Sequence, residues 1–103
     1  MEGSVQAQFA FTVPPELETG RYSNLLGIWH TGHEFTLDFS VTGPAMPPEA
    51  PDDPPTIPCQ VVARVKIAPS LVFDLLQALN ENMTRYEESY GEIKRPEPPG
   101  GSQ

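Results

Sequence analysis

The sequence predicts an α+β domain: a four-stranded, mainly antiparallel sheet built on a ββ-hairpin and packed by one long C-terminal amphipathic helix. Three observations carry the prediction. Short segments of alternating apolar and polar residues recur through residues 5–13, 22–42 and 59–67. A single stretch with helical periodicity fills residues 69–90. The 13 prolines of the 103 residues cluster between and after these blocks, where a missing N–H costs neither a helix nor a ladder its hydrogen bond.

The first block alternates cleanly. Val5, Ala7, Phe9, Phe11 and Val13 fall on one side, and Gln6, Gln8, Ala10 and Thr12 on the other. Period two is the mark of a half-buried strand. The second block holds a hairpin. A strand over about Tyr22 to Thr31 sets Leu26 and Ile28 on one face and Leu25 and Trp29 on the other. Gly32-His33 supplies the turn, the glycine being free to take positive φ. The return strand places Phe35, Leu37, Phe39 and Val41 toward the core, and Glu34, Thr36, Asp38, Ser40 and Thr42 toward water.

Seven prolines lie between Pro44 and Pro58, so residues 43–58 read as a stiff, solvated crossing to a fourth strand. That strand runs from Cys59 to Ile67. Its core face is Cys59, Val61, Ala63, Val65 and Ile67; its outer face carries Gln60, Val62, Arg64 and Lys66. Paired with the preceding strand, Arg64 and Lys66 fall opposite or diagonal to Asp38 and Glu34, a pairing worth about 0.2–1 kcal/mol each.

Pro69 suits a first helical position and Gly91 a terminating left-handed one. Between them Val72, Leu75, Leu76, Leu79, Met83, Tyr86 and Tyr90 make one apolar stripe. A 22-residue helix is about 33 Å long, about the length of a nine-residue strand, so it is expected to cover one sheet face. The domain is expected to span residues 1–93, with a disordered tail at 94–103. About 65 residues then form the ordered core, which is small for a lone monomer. Apolar groups on the second sheet face, and the helix surface at Leu79, Met83, Tyr86 and Tyr90, are expected to lie in a homodimer interface.

Composition narrows the function. A formal charge of −8, from 14 acidic against 6 basic residues, disfavours a phosphate-backbone binder; the basic residues Arg64, Lys66, Lys94 and Arg95 are too few to offset it. One cysteine excludes an internal disulfide. No apolar run approaches the roughly 20 residues that span a bilayer. The start, Met1-Glu2-Gly3-Ser4, lacks a basic and apolar leader, so a cytoplasmic location is expected.

Candidate chemistry is thin. His30 and His33 straddle a turn with no third or fourth ligand near in sequence, which predicts loop histidines and no metal. Cys59 opens a strand on its apolar side, which predicts a small buried hydrophobe in place of a nucleophile. Pro51-x-x-Pro54 and Pro55-x-x-Pro58 match a minimal polyproline spacing, but their surroundings are acidic (Glu49, Asp52, Asp53), which favours a spacer. Glu81, Glu87, Glu88 and Glu92 load the helix's C-terminal half against its dipole. No glycine-rich phosphate loop or nucleophile elbow is present, and no cofactor is expected.

Several short motifs follow one another in a distinctive order: Tyr22-Ser23-Asn24-Leu25, His30-Thr31, Glu34-Phe35-Thr36-Leu37-Asp38-Phe39, Ala63-Arg64-Val65-Lys66-Ile67-Ala68-Pro69, and Leu75-Leu76-Gln77-Ala78-Leu79-Asn80-Glu81-Asn82-Met83 with Tyr86-Glu87, Tyr90-Gly91 and Ile93. In this the chain resembles a bacterial and archaeal family catalogued as domain of unknown function 3467. The proline-rich crossing is longer than the family's, and Ala68 stands where the family more often has a serine N-cap, a loss of about 1 kcal/mol. The resemblance implies no known activity. It singles out Tyr22, Ser23, Asn24, His30 and Asp38, with the neighbouring Trp29, as a candidate binding surface or a set of fold-specific hydrogen-bonders.

The sequence therefore points to a non-catalytic, homodimeric interaction or accessory module with an unidentified protein partner. The alternative is a chaperone-like or ligand-holding module, since strands followed by a helix are loosely similar to export chaperones of the SecB type. An enzyme would need Asn24, His30 and Asp38 to converge.

Overall fold

The computed structural model describes residues 6–95. Its sheet has three strands, β1 (Leu25–His30), β2 (Phe35–Thr42) and β3 (Cys59–Ile67), in the order β1-β2-β3. Both pairings are antiparallel. A 3-10 turn over Pro69–Leu71 leads into the helix α1 (Val72–Tyr90). Ala68 makes no side-chain cap at this entry.

The fourth strand expected over residues 5–13 does not form. Val5 lies outside the described residues, and Gln6–Val13 belong to no helix, turn or ladder. Alternation makes a segment fit for a sheet, but a strand also needs a neighbour, and this segment has none among the described residues of its own chain. The strand expected from Tyr22 begins only at Leu25.

The turn between β1 and β2 closes with the Thr31 N–H donating to the Glu34 carbonyl at 3.0 Å. Gly32 does not take the positive φ that the sequence suggested; positive φ is confined to Gly20 and Gly91 among the described residues. The Thr31 hydroxyl instead accepts the His33 N–H at 3.1 Å, a side-chain turn that replaces the glycine's conformational freedom. Gly91, at φ 97°, does end α1, its N–H donating to the Glu87 carbonyl.

Residues 43–58 are not a crossing. Because β2 and β3 are neighbours, the proline segment is the arm of a long hairpin. Gly43 N–H donates to the Pro58 carbonyl at 2.8 Å, and Pro58, lacking an N–H, returns nothing. Met46 and Thr56 bond reciprocally further out.

A β-bulge falls where Phe39 pairs with Ala63 and Ser40 with Val61, leaving Val62 as the extra residue of β3. The bulge shifts the alternation by one. Ala63, Val65 and Ile67 share the face of Phe39, Leu37 and Phe35, as expected. Val61 and Cys59 instead stand opposite Ser40 and Thr42. Cys59 is accordingly an exposed free thiol, which corrects its reading as a buried hydrophobe.

The helix does not seal the sheet along its length. No residue of α1 is buried, and Leu37 is the one buried apolar side chain among the described residues. The first turns of α1 lean over the face of Leu26, Ile28 and Phe39, and the rest carries Met83, Tyr86 and Tyr90 exposed. No described helix is long and apolar enough to cross a membrane.

Candidate interaction surfaces

Strand alternation divides the sheet into two faces. The face toward α1 is an open apolar trough of about 320 Å³. Leu26, Ile28, Phe35, Phe39 and Ile67 form its floor around Leu37, and Val72, Leu75, Leu76 and Leu79 form a wall. Leu76 and Leu79 are 59% and 60% exposed. The four apolar positions of the helix stripe nearest the sheet thus line the trough, while Tyr86 and Tyr90 continue the stripe beyond it, their rings 4.9 Å apart.

The opposite face is ionic and aromatic. Arg64 stands directly across from Asp38 and grips it with two bonds, Nε to Oδ1 at 2.6 Å and Nη2 to Oδ2 at 2.9 Å. Lys66 bonds the hydroxyl of the fully buried Thr36 at 3.0 Å and approaches Glu34 at 3.6 Å. Both charge pairs expected between these strands therefore form. Trp29 lies beneath the two cations, with Lys66 Nζ 5.0 Å and Arg64 Cζ 6.0 Å from its ring centroid, within cation–π reach. The hydrogen bonds from Arg64 hold the Asp38 carboxyl below the usual carboxylate range; partial desolvation opposes this, and the charges of Arg64 and Lys66 and the Trp29 indole add to it. Asp38 in turn raises the proton affinity of Arg64.

The family-motif residues do not gather in one place. Ser23 and Asn24 fasten the start of β1 to the end of β2. The Ser23 hydroxyl is shared between the carbonyls of Ser40 at 2.8 Å and Leu25 at 3.1 Å. Asn24 accepts the Thr42 N–H at 3.1 Å, donates to the Thr42 hydroxyl at 3.3 Å, and gives its own N–H to Ser40. Their chemistry is that of a clamp. Tyr22 is exposed and makes no side-chain hydrogen bond among the described residues. His30 pairs with Phe35 and stacks on it at 5.1 Å, which puts it on the trough side. Trp29 and Asp38 lie on the other side. Asn24, His30 and Asp38 thus do not converge. No group of three or more potential metal ligands occurs among the described residues, and His30 and His33 acquire no further partner.

Two features escaped the sequence reading. Arg64, Lys66 and Thr36 join Trp29 and Asp38 in one cluster, a grouping that was legible only as isolated ion pairs until the register was known. The trough residues were legible as core but not as an open surface, because helical periodicity says which stripe is apolar and not how closely it docks.

The acidic cluster at the end of α1 is partly engaged. Glu87 accepts the Ile93 N–H at 3.0 Å, and Glu81 meets Gln77 and Arg85. Comparison with known families finds one whose model matches residues 2–95, described as "Protein of unknown function (DUF3467)". No curated protein and no solved structure matches the chain.

Proposed function

The chain belongs to the DUF3467 family, and we propose that it works as a non-catalytic interaction module of the cytoplasm that completes its core by self-association. One observation carries this reading: Leu37 is the single buried apolar side chain among the described residues, while Leu76, Leu79, Met83 and Tyr86 stand open on one helix stripe. Ordering a residue costs about 1–2 kcal/mol. One fully buried leucine returns about 1.5–3 kcal/mol, and the half-buried Phe35, Phe39, Ile67, Val72 and Leu75 return only part of their share, so the interior of one copy is thin against the ordering of its residues. A second copy laid on the trough and stripe supplies the missing burial without any new residue type. Closed pairing is the commonest solution for such a surface. Sedimentation velocity at tens to hundreds of micromolar tests it. A dimer is expected, and a compact monomer across that range overturns the reading.

The trough also favours a second reading, a module that holds an extended apolar segment of another protein, because its lining is wholly apolar and it is open along one side. Native protein that binds a hydrophobic dye in competition with an unfolded polypeptide supports this reading. Native protein that binds neither removes it.

A further inference from the structure

We propose that Gln6–Val13 of one copy adds to the free edge of β1 in a second copy, extending that sheet from three strands to four. This deepens the self-association reading and rests on it. The segment alternates much as β2 does, yet it enters no ladder among the described residues of its own chain. Phe9 and Phe11 are 82% and 90% exposed, the most exposed large apolar side chains of the described residues. An alternating segment with such side chains in water is a strand that lacks its sheet.

The sheet offers two edges, and they differ. Along β3 the bulge at Val62, the preceding Pro58 and the charged pair Arg64 and Lys66 are the devices that blunt an edge against pairing. Along β1, Leu25-Leu-Gly-Ile-Trp-His30 has no proline, lysine, arginine or bulge, which leaves it a receptive edge.

The hydrogen-bond phase identifies the groups on offer. Thr31 N–H bonds the Glu34 carbonyl, so Thr31 and Glu34 are a bonded pair. Bonded and non-bonded pairs alternate in an antiparallel ladder. With the register Trp29↔Thr36, Gly27↔Asp38 and Leu25↔Ser40, those residues bond to β2, and the N–H and carbonyl groups of Leu26, Ile28 and His30 face outward. The side chains of these three share the trough face, with His30 on Phe35. An added strand with Phe9, Phe11 and Val13 on that face satisfies the edge and extends the apolar floor of the trough past β1.

Exchange between copies is favoured by the joint. Pro14-Pro15 fixes φ at two successive residues and runs into a 3-10 turn over Pro15–Leu17, while the Ser23 and Asn24 clamp fixes the start of β1. A stiff hinge that holds a segment off its own edge favours pairing with an identical edge on a partner, as in domain swapping.

The test uses the full chain at a concentration where sedimentation has given its mass. Amide hydrogen exchange reads Leu26, Ile28 and His30. Equal mixtures of ¹⁵N-labelled and ¹³C-labelled protein then report isotope-filtered NOEs between copies. The expected result is a dimer, exchange at these three amides slowed at least 100-fold relative to an open chain, and NOEs from them to residues 6–13 of the other copy. Phe11→Pro, which removes a ladder donor, speeds their exchange at least tenfold. A dimer with freely exchanging edge amides overturns the strand addition and leaves self-association standing. NOEs only within one copy overturn the exchange between copies. A monomer overturns self-association, and the strand addition with it.

Discussion

Leu79→Ser separates a surface that is merely exposed from one that is covered by a second copy. Leu79 is 60% exposed in a single chain and stands on the wall of the trough. Full burial of a leucine is worth about 1.5–3 kcal/mol, so covering the exposed fraction contributes about 1–2 kcal/mol in each copy. A symmetric dimer contains the site twice, which gives about 2–4 kcal/mol of association energy, or roughly 30- to 1,000-fold in the dimer Kd. Polar substitution of an exposed residue that makes no such contact changes stability by about 0.5 kcal/mol or less. Sedimentation equilibrium over a wide concentration range reads the Kd, and circular dichroism at high concentration checks that α1 is still helical. A Kd within threefold of the unsubstituted protein, with the helix intact, refutes the reasoning that places Leu79 in the interface.

Other consequences follow from the second face and from the clamp. Asp38 has its folded pKa lowered by Arg64, so its contribution to stability is fully present above the unfolded carboxylate range near 4 and is lost as pH falls through the lowered folded value. Carboxyl NMR titration should place Asp38 below its ordinary value and move it upward in Arg64→Ala; an unshifted Asp38 contradicts the bidentate pair. Asn24→Ala removes the side-chain bonds to Thr42 and should cost about 0.5–1.5 kcal/mol, read as a lower denaturation midpoint with an unchanged slope; no change would mean that the clamp is replaced by water. Cys59 is exposed, so a thiol reagent should modify it completely in the native protein, and reaction only after denaturation would restore the buried position that alternation alone suggests.

Much of the fold was legible because hairpins and helices are local. The alternation of Phe35 to Val41 against the apolar positions of β1 specified the first hairpin, and the charges of Arg64 and Lys66 against Asp38 and Glu34 marked the next pairing as one possibility without fixing the strand order. The helix followed from its stripe, Pro69 and Gly91. What the sequence did not carry was relational. Nothing in Cys59–Ile67 announces that Val62 is an extra residue, because a bulge is a property of two strands together. The misplacement of Cys59 and Val61 follows from that one residue. The proline segment read as a crossing for the same kind of reason. Proline says what residues 43–58 cannot form, and not which strands they join.

The candidate site was legible in its members and not in its grouping. Ser23 and Asn24 stood out as polar motif residues, and their bonds across to Ser40 and Thr42 account for them without any ligand. His30 and Asp38 also stood out, but adjacent pairs in a ladder alternate between faces. A histidine paired with Phe35 and an aspartate paired with Gly27 must point to opposite sides of the sheet, as the register requires. The residues 6–13 make the complementary case. Their alternation is as regular as that of β2, and they still have no place in this chain's own sheet. Periodicity reports that a segment can be half buried, and it carries no information about which molecule supplies the other half. The sequence reading put four strands in one chain, and the sheet has three. Under the proposed strand addition, the free N–H groups of Leu26, Ile28 and His30 and the unpaired Phe9 and Phe11 are two halves of the same interface.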